Sequence, residues 1–301
     1  MQAEFFDFYG ADGQLLPAVI WAPENPKAVI QVIHGMTEHM GRYEAFATEM
    51  AARGIAVAGF DLRGHGKNAG DPVVASFGEG GWQTSVADVQ LFHYHLQHSF
   101  PGVPQYMLGF SLGSFLLRDF LKLYPTEELA GAVIMGTGHQ PGWLLSLMMK
   151  IVIGQIKKVG FNNTSDLVKQ LSFGTYNGKF KPNRTEADWL CANADALDDY
   201  LADPMVRRQI SAGLFWELLN SMKRHSEPEE YAGWNHALPI LLISGDKDPV
   251  GDGGKGVKAI CQRMHKSGMQ AVQMQLIPGA RHDVLHESDA AQRIIADWLE
   301  G

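Results

Sequence analysis

Residues 106–113 read Tyr-Met-Leu-Gly-Phe-Ser-Leu-Gly, and the last five of them form a G-x-S-x-G pattern around Ser111. The apolar run before the pattern predicts a β-strand, and the apolar spacing over 115–121 predicts a helix after it. A strand, a sharp turn and a helix in this order expose the hydroxyl of a serine at the end of a sheet strand. The flanking glycines fit, because a β-carbon there would collide with the neighbouring backbone. The stretch therefore predicts a nucleophilic serine in an α/β fold.

Short apolar runs alternate with helical patterns on both sides of this stretch. Predicted strands cover residues 28–33, 55–60, 105–108, 132–135, 239–244 and 271–277. Predicted helices cover residues 43–53, 82–100, 112–124, 255–266 and 288–299. The more polar runs at the start predict an antiparallel hairpin at 4–9 and 15–21. This order is typical of a mostly parallel central sheet flanked by helices.

The alternation stops between residues 139 and 237, where only helix-like segments rich in Leu, Met and Trp occur. An insertion of this length between two sheet strands predicts a helical cap over the carboxyl ends of the strands. Open α/β sheets bind their ligands at that edge. We therefore expect a core domain formed by residues 1–138 and 238–301, with a helical cap (lid) formed by residues 139–237.

A serine hydroxyl needs a histidine to accept its proton and a carboxylate to orient that histidine. In this fold the acid and then the histidine follow later strands of the sheet. Asp246 and Asp248 both follow the strand at 239–244, and His282 and His286 both follow the last strand. We predict Asp248, because an aspartate placed directly against a strand end, like Asp246, more often caps the turn. We predict His282, because it lies in the loop, whereas His286 opens the last helix.

The oxyanion formed during acyl transfer needs two backbone N–H donors that point at one position. One donor is expected from Leu112, directly after the serine. The loop after the strand at 28–33 is expected to supply the other, and we assign it to Met36.

Composition and charge exclude several other classes of function. The chain has 301 residues, 46% of them hydrophobic, and a formal charge of −8, whereas nucleic-acid binding needs a basic surface. The start of the sequence lacks the basic and apolar regions of a secretory signal, and no apolar run is long enough to span a bilayer. Cys191 and Cys261 stand alone, which fits reduced thiols. We expect a cytoplasmic protein.

No metal or organic cofactor is expected. His93, His95 and His98 lie close together in the sequence. On a helix, however, His93 and His95 point about 200° apart, so that they cannot share a metal ion. Asp61 and His65 at a strand end are better explained as residues that brace a loop.

Residues 34–43 read His-Gly-Met-Thr-Glu-His-Met-Gly-Arg-Tyr. This stretch resembles the H-G-x-x-E-H-x-x-R-Y signature of monoacylglycerol lipases and bacterial lysophospholipases, which are serine hydrolases of the α/β-hydrolase superfamily. Residues 61–66, Asp-Leu-Arg-Gly-His-Gly, are similar to the D-x-R-G-H-G motif of the same proteins. The resemblance extends through the serine turn to residues 245–248 and 282–287, and so it covers the whole predicted catalytic domain.

The resemblance implies an α/β-hydrolase fold and a serine ester hydrolase that needs no cofactor. Family members place the acid three positions after the glycine that ends the strand, which corresponds to Asp248. The resemblance also implies that Glu38 and Arg42 lie near the polar end of the pocket, where they help to receive a glycerol-like leaving group. An ion pair that braces the loop is the alternative for these two residues. The serine turn departs from the lipases at Phe110 and Leu112, where they often have His and Met.

The predicted cap contains the apolar segment 143–153, Trp-Leu-Leu-Ser-Leu-Met-Met-Lys-Ile-Val-Ile. Methionine-rich surfaces suit flexible acyl chains, so that one interpretation is a lining for the substrate channel. Packed core and docking on a membrane are the alternatives. Trp143 and Phe110 are predicted substrate contacts. Further aromatic residues that could close the same cavity are Trp189, Phe215 and Trp216.

These observations predict a hydrolase of lipid monoesters, either monoacylglycerols or lysophospholipids, which works through an acyl-enzyme. A carboxylesterase or thioesterase for short acyl groups and an acyltransferase would use the same residues. A non-catalytic binding protein is disfavoured, because all three predicted catalytic positions are filled. The sequence does not predict the oligomeric state.

Overall fold

The computed structural model describes residues 1–69, 74–206, 209–227 and 229–301. Within them the chain forms an eight-stranded sheet in the order β1-β2-β4-β3-β5-β6-β7-β8. The strands are β1 (Gln2–Tyr9), β2 (Leu15–Ala22), β3 (Ala28–Ile33), β4 (Ile55–Phe60), β5 (Gln105–Phe110), β6 (Leu129–Met135), β7 (Ile240–Gly245) and β8 (Val272–Ile277). The β1–β2 and β2–β4 pairs are antiparallel, and the other pairs are parallel.

Helices flank the sheet and fill the segment between β6 and β7. They are α1 (Glu44–Ala52), α2 (Gly81–Ser99), α3 (Leu112–Leu123), α4 (Gly142–Val159), α5 (Asp166–Lys169), α6 (Thr175–Asn177), α7 (Ala194–Ala202), α8 (Ala212–Arg224), α9 (Lys255–Lys266), α10 (Val284–Glu287) and α11 (Asp289–Glu300). Short 3₁₀ turns lie at Met40–Tyr43, Gly66–Asn68 and Gly178–Phe180, and a π turn lies at Gln170–Gly174. The predicted α/β fold with an antiparallel hairpin at its flank is confirmed.

The central strands form because their residues are apolar on both faces. Every residue of β3, β4 and β7 is buried, which is expected for parallel strands covered by helices on both sides. One apolar cluster packs α2, α3 and α9 on one face of the sheet. A second cluster packs α1 and α11 on the other face.

Two glycines bring the serine turn close to the end of β3. A β-carbon on Gly113 would lie 2.0 Å from the carbonyl oxygen of Ile33, and one on Gly109 would lie 2.5 Å from that of Gly113. Only glycine permits such close backbone packing. The first turn of α3 therefore lies directly against the loop that follows β3, and this contact brings Ser111 next to residues 34–39.

The regular elements in the described part of residues 139–237 are helical, apart from an isolated bridge between Ala75 and Ile210. We propose that these residues form a cap on a core made of residues 1–138 and 238–301. Helix α4 packs against α8, and α8 packs against α3. None of the helices in the described ranges is long and apolar enough to cross a membrane.

Candidate active site

Ser111 occupies a strained turn at the carboxyl end of β5. Its φ of 50° and ψ of −115° lie outside the usual regions for a residue with a side chain. The backbone N–H of Ser111 donates to the carbonyl oxygen of Met135 at 3.0 Å, which ties the turn to the neighbouring strand. Strain of this kind persists only where the surrounding structure enforces it. The fold thus holds the serine at the sheet edge where ligands of α/β sheets bind.

The histidine and the acid that complement Ser111 come from the loops after β8 and β7. His282 Nε2 lies 2.9 Å from Ser111 Oγ, and His282 Nδ1 lies 3.0 Å from Asp248 Oδ1. Both partner side chains are buried. Asp248 also accepts hydrogen bonds from Ser244 Oγ at 2.9 Å and from the N–H of Val250 at 2.8 Å. The structure brings together the three residues that the sequence favoured.

Asp246 and His286, the alternatives for the acid and the histidine, make other contacts. Asp246 accepts a hydrogen bond from the N–H of Gly279 at 2.8 Å and is partly exposed, as a residue that caps a turn would be. His286 Nδ1 lies 2.7 Å from Asp283 Oδ1, and its Nε2 lies 2.9 Å from the carbonyl oxygen of Arg42. Burial alone would lower the pKa of His286, but the Asp283 carboxylate raises it above the ordinary value.

The loop after β3 is ordered by a neutral histidine. His34 Nε2 accepts the N–H of Leu62 at 2.9 Å, so its proton is on Nδ1, which donates to the carbonyl oxygen of Gly35 at 2.8 Å. Burial lowers the pKa of His34 to about 4, which keeps the ring neutral at physiological pH. In a trans peptide the N–H points opposite to the C=O. The Met36 N–H, in the same peptide as that carbonyl, therefore points away from His34.

Leu112 opens α3, so its N–H is one of the first-turn groups that lack an acceptor within the helix. The partial positive charge at a helix amino terminus favours an anion there. Met36 lines the cavity beside Ser111. The two predicted oxyanion donors thus lie on elements that meet at the serine turn.

Glu38 and Arg42 line the cavity and form a buried ion pair. Arg42 Nη1 donates to Glu38 Oε2 at 2.5 Å, and Arg42 Nη2 donates to Asp283 Oδ2 at 3.0 Å. Glu38 Oε1 accepts the N–H of Gly35 at 2.5 Å and the Tyr43 hydroxyl at 2.8 Å. Burial would lower the pKa of Arg42, but Asp283 and Glu38 raise it above its usual value. The ion pair between Glu38 and Arg42, which the sequence analysis gave as the alternative to substrate contact, is therefore present, and it lies at the wall of the cavity.

The cavity at Ser111 opens beside the imidazole of His282. Two aromatic rings pack near His282, since the ring centres of Phe110 and Trp189 lie 5.0 and 5.1 Å from that of its imidazole. Trp189 in turn stacks on Phe173 at 5.6 Å. Sequence reasoning did not single out the remaining lining residues: Thr37, Lys169, Phe173, Glu186, Ala187, Leu190, Tyr200 and Asp283.

Three aromatic residues that were predicted to contact substrate or close the cavity do not line it. Trp143 is 72% exposed at the start of α4, because the buried residues of that helix, Leu145 and Val152, face the core instead. Phe215 is buried in the apolar core, and Trp216 lines a separate cleft. The apolar pattern of α4 therefore reflects packing on one side and an exposed surface on the other.

The histidines of α2 form no metal-binding cluster with other residues that the structure describes. Within the part of the chain that the structure describes, no group of three or more His, Cys, Asp or Glu side chains is arranged to hold a metal ion. Burial lowers the pKa of His93 to about 4. Asp61 accepts the N–H groups of Met40 and Lys67 at 2.8 and 2.9 Å, which are contacts that brace the loops on both sides.

Comparison with known proteins places this geometry in a family. Residues 24–289 match the family model Hydrolase_4, described as serine aminopeptidase, S33. A monoglyceride lipase of Mus musculus is 30% identical over 280 residues, which are 92% of this chain and 82% of that protein. A monoacylglycerol lipase of Mycolicibacterium smegmatis is 26% identical over 304 residues, 96% of this chain and 93% of that protein.

Solved structures support the same fold. A thermostable carboxyl esterase from Bacillus coagulans, in complex with glycerol, superposes with a TM-score of 0.87 at 24% identity, covering 100% of this chain and 99% of that one. A soluble variant of a monoglyceride lipase from Saccharomyces cerevisiae gives 0.74 at 16% identity, covering 98% and 94%. The chain belongs to the Hydrolase_4 (serine aminopeptidase, S33) family and has the α/β-hydrolase fold.

Proposed function

We propose that the protein hydrolyses lipid monoesters, with Ser111 as nucleophile, His282 as general base and acid, and Asp248 as the residue that orients His282. The observation that carries the proposal is the pair of contacts from His282 to Ser111 Oγ and Asp248 Oδ1 at the wall of an apolar cavity. The broader class, a carboxylic ester hydrolase, agrees with the curated lipases that the chain resembles over nine-tenths of its length.

In the proposed mechanism His282 Nε2 takes the proton of Ser111 as Oγ attacks the ester carbonyl carbon. The carbonyl oxygen becomes an oxyanion, which accepts hydrogen bonds from the N–H groups of Met36 and Leu112. His282 then donates its proton to the departing alcohol as the C–O bond breaks. Water, deprotonated by the same histidine, attacks the acyl-enzyme and releases the fatty acid, so that Ser111 regains its proton.

An acyl chain is the substrate group that best matches the lining of the cavity. Phe110, Phe173, Trp189 and Leu190 supply apolar surface around the histidine. Burying one methylene group contributes about 0.8 kcal/mol, which corresponds to a roughly fourfold gain in binding for each carbon added. A preference for medium or long acyl groups follows until the chain outgrows the cavity.

The charged groups at the other wall of the cavity favour an uncharged head group. Glu38 and Asp283 supply two negative charges, and the guanidinium of Arg42, which pairs with both carboxylates, balances one of them. A phosphodiester anion would add a further negative charge, whereas a glycerol hydroxyl can donate or accept there. We therefore favour monoacylglycerol over lysophospholipid, with Glu38 and Arg42 as contacts of the leaving alcohol in addition to their role as a brace.

We also propose that helix α4 of the cap makes transient contact with a lipid surface. Trp143, Leu147 and Ile151 are spaced four residues apart, so they share one helix face. All three are exposed, by 72%, 51% and 37%. An exposed apolar stripe of this kind often marks an interaction surface, and a lipid surface is where a monoacyl ester resides.

A series of p-nitrophenyl esters of increasing acyl length tests the proposed function. We expect kcat/KM to rise with chain length beyond butyrate, and activity to be lost in Ser111→Ala. Ser99→Ala, on the exposed end of α2, is the matched control and should behave as wild type. A maximum at acetate or butyrate would overturn the lipid proposal. Equal activity in Ser111→Ala would overturn the mechanism.

The family description makes aminopeptidase activity the second candidate. An aminopeptidase has to bind the free ammonium group of its substrate next to the reacting carbonyl. Glu38 and Asp283 in the cavity wall are already paired with Arg42, which disfavours this use. Leucine p-nitroanilide separates the candidates: we expect negligible turnover, and turnover faster than that of the esters would favour the peptidase.

A further inference from the structure

One residue in the loop that carries the proposed oxyanion donor is strained. Thr37, next to Met36, has a φ of 68°. A threonine is rare in this left-handed region, because its β-branched side chain crowds the backbone. A conformation of this kind persists only when the surrounding contacts enforce it. Together with the His34 bond to the Gly35 carbonyl, the partners of this loop therefore help to hold the backbone that carries the Met36 N–H.

The first partner is a tyrosine from helix α7. The Thr37 hydroxyl donates to the carbonyl oxygen of Met36 at 2.6 Å, and Thr37 Oγ1 lies 2.9 Å from the Tyr200 hydroxyl. Threonine has a single hydroxyl proton, which already points to Met36, so Tyr200 is the donor in the second bond. Both side chains are buried. A chain of two hydrogen bonds thus runs from α7 to the backbone of Met36.

The second partner directly follows α7. His39 Nδ1 accepts the N–H of Gly41 at 3.1 Å, so His39 Nε2 carries the proton and donates to Asp203 Oδ2 at 2.7 Å. Tyr200 and Asp203 therefore hold the loop at Thr37 and at His39, on the two sides of Glu38.

The same tyrosine also contacts the other half of the site. The guanidinium carbon of Arg42 lies 4.8 Å from the centre of the Tyr200 ring. Arg42 binds Asp283, the residue after His282. Helix α7 thus contacts the oxyanion loop directly and reaches the loop of the histidine through Arg42.

We propose that α7 positions the oxyanion loop and that Tyr200 and Asp203 are positioning residues for ester hydrolysis. They act through Thr37 and His39 on the direction of the Met36 N–H, and not on the reacting ester. Helix α7 therefore supplies two of the restraints on the strained loop and, through Tyr200, part of the wall of the cavity. This inference rests on the proposed function of Ser111.

Tyr200→Phe tests the proposal, because it removes the hydroxyl and keeps the ring over Arg42. We expect kcat for the preferred ester to fall about tenfold, with KM within twofold of wild type. The loss is smaller than the 10²–10³ that follows removal of an oxyanion donor, since the Met36 N–H remains but is less well oriented. Tyr94→Phe, an exposed tyrosine on α2, is the matched control and should change neither constant.

A trifluoromethyl ketone with the preferred acyl chain supplies a readout that a purely structural role would not move. Ser111 Oγ adds reversibly to its carbonyl carbon, the proton passes to His282, and the ketone oxygen becomes an oxyanion. We expect its affinity to fall in Tyr200→Phe by the same factor as kcat.

Thr37→Val removes the same hydrogen bond from the core side, and it serves if Tyr200→Phe does not fold. Thr37→Val also removes the hydrogen bond from the Thr37 hydroxyl to the Met36 carbonyl, so it should be at least as damaging as Tyr200→Phe. The bond to Tyr200 is common to both substitutions, so the double variant should be no worse than Thr37→Val alone. Thr37→Ser keeps the hydroxyl and should retain most of the activity.

Three results would overturn the proposal: unchanged kcat and ketone affinity in Tyr200→Phe, an effect confined to KM, or a fall in kcat without a fall in ketone affinity. Failure of the proposed function would look different, because the wild type itself would then show no ester hydrolysis that depends on Ser111.

Discussion

Replacing Arg42 with methionine leaves two buried carboxylates without their shared cation. Arg42 binds Glu38 at 2.5 Å and Asp283 at 3.0 Å, and the exposed fractions of the two acidic side chains are only 2% and 4%. Removing one partner from a buried ion pair costs about 3–5 kcal/mol of stability, because the remaining charge is left uncompensated. We expect Arg42→Met to lower the free energy of unfolding by that amount at pH 7.

The deficit should shrink at lower pH. In the wild type, burial alone would raise the pKa of Asp283. His286 and Arg42 have the larger, opposite effect, so the pKa lies below its usual range. Its contribution is present above the unfolded pKa near 3.8 and is lost only as the pH falls below it. Without Arg42 the pKa of the folded state rises, so the folded variant takes up a proton that the unfolded chain does not. As the pH falls, the free energy of unfolding of the variant therefore rises by up to about 1.4 kcal/mol per pH unit for each such carboxylate.

Urea denaturation at pH 7 and pH 5, followed by tryptophan fluorescence, measures both effects. Arg53→Met is the matched control, because Arg53 on the same side of the sheet pairs with the exposed carboxylates of Glu49 and Asp297. Its effect should be much smaller at both pH values. A deficit below 1 kcal/mol for Arg42→Met at pH 7, or a deficit that grows at pH 5, would refute the reasoning.

Three further predictions concern the catalytic acid, a buried glutamate and the exposed face of α4. Asp248→Asn should lower kcat by about 10⁴ with little change in KM, because an amide cannot stabilise the charged imidazole; a loss below tenfold would contradict the role of Asp248. Burial raises the pKa of Glu217 to about 7, so the folded state binds its proton more tightly and stability falls as the pH rises from about 4.5 to 7. Glu217→Gln should reduce the change in stability between pH 5 and pH 8 by about 2 kcal/mol, after solvent screening is allowed for. An unchanged pH profile of the urea midpoints would contradict this role of Glu217. The double variant Trp143→Ser, Leu147→Ser should bind phosphatidylcholine vesicles several-fold more weakly in sedimentation, with hydrolysis of p-nitrophenyl butyrate unaffected; equal binding would exclude contact through α4.

The sheet was predictable because its signal is local. The all-apolar runs that became β3, β4 and β7 can be buried only between two layers of helices, and their order fixes where the serine, acid and histidine loops meet. Asp248 and His282 were chosen from residue type and chain order, and the structure places His282 beside Ser111 and Asp248 beside His282. Their catalytic roles stay predictions until they are measured.

The contacts of the insertion were not predictable. The bond from Tyr200 to Thr37 joins residues 163 positions apart, and the one from Asp203 to His39 joins residues 164 apart. Apolar periodicity shows which face of a helix is buried but not which element it meets. For the same reason the pattern of α4 suggested a channel lining, whereas Trp143 lies on the exposed surface.

The release of fatty acid from 1-monodecanoylglycerol tests the central claim most directly. Wild-type protein and Ser111→Ala are compared at equal concentration, with free decanoate measured over time. The account predicts rapid release by the wild type and a rate at least 10³-fold lower for Ser111→Ala. Equal release by the two proteins, or no release by a wild type that still cleaves p-nitrophenyl acetate, would contradict it.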